Sequence, residues 1–288
     1  MPYVVRSHLI PALGHVKVKA LTPAYVQGLY SSKLDSGLSP RTVQLIHTTL
    51  HKALKQAVRW GLVPRNVTEA VQAPRPAKNT KREMHPLTAG QARDLLEAVR
   101  GDRLEALYVL AITTGLREGE LLGLHWQDVD LGSGTLSVSQ QLIRTKSDGL
   151  CFTTPKSAKG RRSVRLTPKA VRALEDHRER QLMQKQRLSG LWKDTGLVFT
   201  STVGTPLDPS NLTYHTFQPL LRRAGLPKIR FHDLRHTCAT LLLGQNVNPK
   251  IVQEMLGHAN ISETMDTYSH VLPSMQQTAV SAIEDALS

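Results

Sequence analysis

Apolar residues recur at helical spacing through most of the chain. From Thr22, the segment TPAYVQGLYSSKL predicts a helix with Thr22 as N-cap and Pro23 in the first helical position, where a missing N–H costs nothing. A longer helix follows: Ser39 caps it, Pro40 opens it, and Val43, Ile46, Leu50, Leu54 and Ala57 recur at spacings of three and four until Gly61 stops it. That stripe reads as core. Thr88 and Gln91 have the spacing of a capping box and start a helix ending near Arg100, and RLEALYVLAITTG is apolar on every side, as a buried helix should be. Between residues 135 and 167 the period changes to two, with turn signals at SDG and SAKG, which predicts a three-stranded antiparallel sheet. Beyond it the pattern is helical again. After Pro273, MQQTAVSAIEDAL sets Met275, Ala279, Ile283 and Leu287 on one face of a terminal helix that docks on its own core or on a neighbouring copy. The fold class expected is mainly α with a small antiparallel β-sheet.

Composition divides the chain. Residues 74–86, PRPAKNTKREMHP, carry three prolines, four Lys or Arg, a histidine and almost nothing large and apolar, the mark of a linker. The reading is a helical domain over 1–76, a basic linker over 77–85 and a mixed α+β domain over 86–288. The formal charge is +14, which points to a polyanionic partner. Its distribution is lopsided: thirteen basic against three acidic side chains in residues 1–85, and twenty-four against twenty in the rest. On the second helix, opposite the apolar stripe, stand Arg41, His47, His51, Lys52, Lys55 and Arg59, which suit contact with DNA phosphates. Cys151 and Cys238 lack the paired spacing of a zinc site or a disulfide framework and read as small packed residues. No apolar run is long enough to span a membrane and no N-terminal apolar run follows a basic segment, so the expected place is the cytoplasm of a bacterial cell, on DNA.

The chemistry concentrates in residues 231–270, which hold His232, Arg235, His258 and Tyr268. Arginine offers a planar cationic fork for phosphate oxygens, histidine a proton carrier near neutrality, and tyrosine a phenolic nucleophile. Together with Arg117 in TTGLREGELLGLHW and Lys156 in TTPKSAKGRRSVRL, the order Arg, Lys, His-x-x-Arg, Leu-Gly-His, Tyr resembles the tyrosine recombinase (phage-type integrase) family, along nearly the whole chain.

The resemblance implies a two-domain DNA clamp, with a core-binding domain followed by a recombinase catalytic domain. It also implies transfer of DNA strands without ATP, metal or other cofactor. Tyr268 would attack the phosphorus, giving a 3′-phosphotyrosine and a free 5′-hydroxyl. Arg117 and Arg235 would meet the charge that grows on the phosphoryl oxygens. His232 would be base or hydrogen-bond partner to the phenol, and His258 would donate to a non-bridging oxygen. Lys156 would protonate the leaving 5′-oxygen, with Lys159 its competitor and Arg161 and Arg162 as further phosphate contacts. Glu120, one turn after Arg117, is placed to orient that guanidinium. The partners implied are double-stranded DNA with core-type sites, a homo-tetramer assembled on DNA from monomers, and an accessory DNA-bending or directionality factor. Relative to the family, the first domain reads as shortened at its N-terminus. Three rivals stand beside this reading: a non-catalytic DNA-binding accessory protein of recombinase ancestry, a type IB topoisomerase-like enzyme, and a metal-dependent hydrolase using His232, His236 and His258. The last lacks a glutamate in HDLRH and would put Arg235 inside its cation site.

Overall fold

The computed structural model describes residues 2–74, 84–145, 148–154, 160–258, 260–262, 265, 283–285 and 287. Tyr268, Lys156, Lys159, most of the predicted linker and most of the terminal helix lie outside the described residues. The chain divides into two compact units, Met1–Glu83 and Met84–Ser288.

The first unit is helical. A continuous helical stretch begins with α1 (Pro2–Val4), passes through a π-helical segment (Val5–Leu9) and ends as α2 (Ile10–Leu13). Then come α3 (Pro23–Asp35) and α4 (Pro40–Arg59). Both begin as expected: the Thr22 hydroxyl accepts from the Tyr25 N–H, and the Ser39 hydroxyl from the Thr42 N–H. Val43, Ile46, Leu50, Leu54 and Ala57 are all buried. Most of that stripe packs with Val26, Leu29 and Tyr30 of α3 and with Val4 and Leu9.

The second unit is built around one helix. The capping box of α5 (Ala89–Ala98) is formed, with Thr88 and Gln91 bonded reciprocally at 3.2 and 3.0 Å. Next, α6 (Glu105–Thr114) is buried on nearly every side and packs against α8 (Pro168–Leu188) and α11 (Asp233–Gly244). Around it are the short α7 (Glu118–Leu122), α9 (Pro209–Asn211) and α10 (Gln218–Arg223), while α12 (Pro249–Leu256) packs on α11 through Leu243, Val252 and Leu256.

The strands correct the expected three-stranded sheet. Among the described residues there are two sheets, both antiparallel: β1 (Val129–Asp130), β2 (Thr135–Ser137) and β5 (Ser163–Arg165) form one, and β3 (Gln141–Thr145) pairs with β4 (Gly149–Thr153) as a separate hairpin. The alternation that starts at Thr135 is interrupted at Gln140–Gln141, and the partner changes across that interruption. Leu136 faces Val164, whereas Ile143 faces Cys151. The cause lies on α7, whose Gly119 and Gly123 share one face one turn apart and touch β3 backbone to backbone. A Cβ on Gly119 would sit 2.6 Å from the Leu142 carbonyl oxygen, and one on Gly123 2.9 Å from the Gln141 Cα. The helix thus draws β3 out of the first sheet. The architecture is mainly helical with small antiparallel sheets.

Candidate active site

Helix ends supply the frame of the site. The last carbonyls of an α-helix lack intrahelical donors and carry the negative end of its dipole, so cations gather there. Three guanidinium groups do so here. Arg235, on the first turn of α11 and 3% exposed, donates from Nη1 to the Gly115 carbonyl at the left-handed C-cap of α6, at 2.8 Å. Arg162 donates from Nε to the Met255 carbonyl in the last turn of α12, at 2.7 Å. Arg117, the N-cap residue of α7, makes a long 3.4 Å contact from Nη2 to the carbonyl of Gly257, which caps α12.

Glu120 ties two of these together. It is 3% exposed, and its carboxylate accepts from Arg117 Nη1 at 2.9 Å, from the Arg117 backbone N–H at 2.9 Å, and from both Nη atoms of Arg162 at 3.1 and 2.9 Å. Burial alone would raise its pKa. The hydrogen bonds and charge of Arg162, followed by those of Arg117, outweigh that and hold it below the usual carboxylate range.

The histidines sit in the field of these cations. His258 follows the α12 cap, is buried, and is held by its backbone to Gln253. Its pKa is lowered to about 3, first by burial and then by Arg235, Arg117, His236 and Arg162. His232, just before α11, is open to solvent on one side and edge-on to His236 with ring centres 4.9 Å apart. Desolvation, then Arg235 and Arg230, disfavour its charged form. His236 is pushed down to about 4 by burial and His232. The entry to α11 is pinned by Asp233, whose buried carboxylate accepts from the Arg230 backbone N–H at 2.8 Å and from its guanidinium at 2.6 Å. What results is a set of neutral imidazoles among fixed cations. Such a set can meet negative charge developing on phosphoryl oxygens without reorganising.

Arg117, Arg235, His232, His258 and Glu120 are therefore brought into one site. Arg161 is exposed beside it, on the rim of a pocket of about 260 Å³ that Lys250, Gln253 and His258 also line. Arg162 departs from its sequence assignment as a phosphate contact. Its side chain is only 8% exposed, and its guanidinium is turned into the protein. Alternation about the buried Val164 sets Arg162 on the inner side and Arg161 on the outer, and packing against α12 completes its burial. Among the described residues, no three histidine, cysteine, aspartate or glutamate side chains are placed to hold a metal ion.

In the first unit, Arg41, Lys52, Lys55 and Arg59 are exposed on α4. His47 and His51 are not on that open face. Both are half-buried, with Nδ1 of His47 bonded to the Tyr30 hydroxyl at 2.8 Å and Nδ1 of His51 to the Thr68 hydroxyl at 2.9 Å. Their rings stack with centres 5.9 Å apart. At about 100° per residue His47 falls beside Leu54 on the flank of the apolar stripe and His51 next to it, so neither stands opposite the stripe with Arg41, Lys52, Lys55 and Arg59, and His51 meets Thr68 of the turn at Val67–Ala70. Among the described residues no helix is long and apolar enough to cross a membrane.

The sequence model of the phage integrase family matches residues 85–275. A XerC-like tyrosine recombinase of Caldanaerobacter subterraneus is 32% identical over 94% of this chain and 72% of its own. An integrase of Streptomyces ambofaciens is 31% identical over 96% and 72%. Among solved structures, the Tn1549 transposon integrase bound to a circular intermediate DNA superposes with a TM-score of 0.79 at 22% identity, over 98% of this chain and 92% of that one. The lambda integrase tetramer bound to a Holliday junction gives 0.59 at 19% identity, over 93% and 70%.

Proposed function

Since the chain belongs to the phage integrase family, and is a tyrosine-type recombinase by that membership, we propose that it integrates or excises a mobile element by cleaving and rejoining DNA at core-type sites. The observation that carries this reading is the convergence of Arg117, Arg235, His232 and His258 on the ends of α6, α7, α11 and α12. In the proposed reaction Tyr268 attacks the scissile phosphorus; the 5′-oxygen leaves with a proton from Lys156, and a 3′-phosphotyrosine forms. The ester keeps the bond energy, so attack by another strand's 5′-hydroxyl reverses the step and no energy-rich cofactor is consumed.

Arg117 and Arg235 stabilise the charge on the non-bridging oxygens. His258, neutral at pH 7 by the shift described above, acts through an N–H rather than through a charge, and His232 receives or steers the phenolic proton. Residues 1–76 serve as the helical DNA-binding domain of a clamp, 77–85 as its basic linker and 86–288 as the catalytic domain. Exchange between two sites calls for four protomers, in line with the tetramer that lambda integrase forms on a Holliday junction.

The decisive experiment uses nicked DNA carrying a candidate core site. The wild-type protein should form an SDS-resistant adduct with it, and Tyr268→Phe should bind the same DNA equally well and form none. An adduct in the variant would move the nucleophile elsewhere, and none in the wild type on any candidate site would favour the non-catalytic accessory reading.

A further inference from the structure

We propose that Arg162 is a positioning residue for DNA cleavage: by gripping Glu120 and the C-terminal end of α12 together, it holds Arg117 in the orientation that meets the scissile phosphate. The inference rests on the reading of Arg117 given above and adds to it a residue whose guanidinium is bonded within the protein.

A carboxylate accepts about four hydrogen bonds. Glu120 receives four, two from Arg162 and two from Arg117. With every acceptor site used and the group buried, the carboxylate cannot rotate without breaking a charge-assisted bond. It in turn takes Nη1 of Arg117 while Gly257 takes Nη2. Both holds on Arg117 run back to Arg162, since Arg162 also bonds Met255 two residues before Gly257. Thus the strand entering β5, the start of α7 and the end of α12 meet at one guanidinium. Only a planar fork does this; a lysine ammonium cannot satisfy both carboxylate oxygens and a carbonyl at fixed angles. Arg117 itself is 36% exposed, so it is held yet still accessible to a phosphate.

Loss of the fork leaves Glu120 with Arg117 as its sole cationic partner. The buried carboxylate then competes with the phosphate for Arg117. Misplacement of a catalytic group by about 1 Å costs on the order of 100-fold in rate.

The test compares single-turnover adduct formation by wild type, Arg162→Met and Arg117→Ala on a nicked core site and on the same site with a methylphosphonate at the scissile position. The methylphosphonate lacks the negative charge that Arg117 meets. On the phosphodiester, Arg162→Met should bind DNA within about threefold of wild type but cleave on the order of 100-fold slower. On the methylphosphonate, the gap to wild type should close to within about threefold for both variants. Equal loss by Arg162→Met on both substrates would mean a general structural defect and overturn the proposal, as would closure for Arg117→Ala alone. Absence of any Arg117→Ala defect on the phosphodiester would instead remove Arg117 from the reaction, and the proposal with it. Because Arg162→Met strands a buried charge and can impair folding, the pair Glu120→Gln/Arg162→Met is measured alongside. It should fold and show the same cleavage defect; wild-type cleavage by the pair would overturn the positioning role.

Discussion

His258 shows how one residue's surroundings choose its chemistry. A histidine in water is half-charged near pH 6.5. Here burial and the neighbouring arginines bring it to about 3, and His236 to about 4, so both are neutral across the physiological range. A DNA phosphate entering the site brings the opposite charge and raises both values towards the ordinary one. The bound state then holds more protons than the free state between the two values, and affinity for core-site DNA should rise as pH falls from about 6.5. Calorimetry at pH 5.5 in two buffers of different ionisation enthalpy reads this directly. Proton uptake on binding is expected, and binding heats independent of buffer would show that these imidazoles do not sense the phosphate.

At the scale of elements, the seam between α7 and β3 decides whether Arg117 and Glu120 face the site. Gly119→Ala places a methyl 2.6 Å from a backbone carbonyl that has no side chain to swing away. Relief requires α7 to lift from the hairpin. An overpacked seam of this kind costs about 1–3 kcal/mol, which should appear as a lower urea midpoint at unchanged slope. Adduct formation should fall further than stability explains, because α7 carries Arg117. A Gly119→Ala protein with wild-type midpoint and cleavage would mean that the strand yields and the seam is not a constraint.

On the scale of the whole molecule, charge and pH set behaviour. Arg41, Lys52, Lys55 and Arg59 are exposed on α4 of a unit with a large basic excess. Their replacement by glutamine in the full-length protein should flatten the dependence of log K on log salt by about 0.9 for every phosphate that is no longer neutralised. An unchanged slope in filter-binding titrations would make that face merely solvated. Acid should unfold the second unit early. His177 is buried on α8 with Nε2 bonded to the Val198 carbonyl at 2.7 Å, and desolvation lowers its pKa, as it does those of His236 and His258. A histidine depressed in the native state binds more protons once unfolded. Its contribution to stability is therefore full above about pH 6.5 and is lost as pH falls towards the native value. Glu120 and Asp233, also depressed, add a loss of the same sign at lower pH, while Glu118, raised by burial, opposes it weakly. Urea unfolding between pH 8 and 4 should show a plateau and then a decline beginning near 6.5, and a flat profile through pH 5 would contradict the buried neutral histidines.

Local physics was legible in the residues. The caps at Thr22, Ser39 and Thr88 and the apolar stripe of α4 depend on spacing along one helix, and neighbours three or four residues away are already in the sequence. So did the order Arg117, His232, Arg235, His258 carry chemical meaning, because phosphoryl chemistry demands those functional groups wherever they lie. Pairing across the chain was not legible. Period-two alternation tells which side of a strand is buried, not which strand lies beside it, so Gln140–Gln141 marks a break between β2 and β3 but the seating of β3 against Gly119 and Gly123 had to come from the tertiary structure. The partner of the buried charge was not legible either. Alternation about Val164 sets Arg162 on the inner side and Arg161 on the outer, but that Arg162 meets both Glu120 and the end of α12, some ninety residues later, was decided by the tertiary packing.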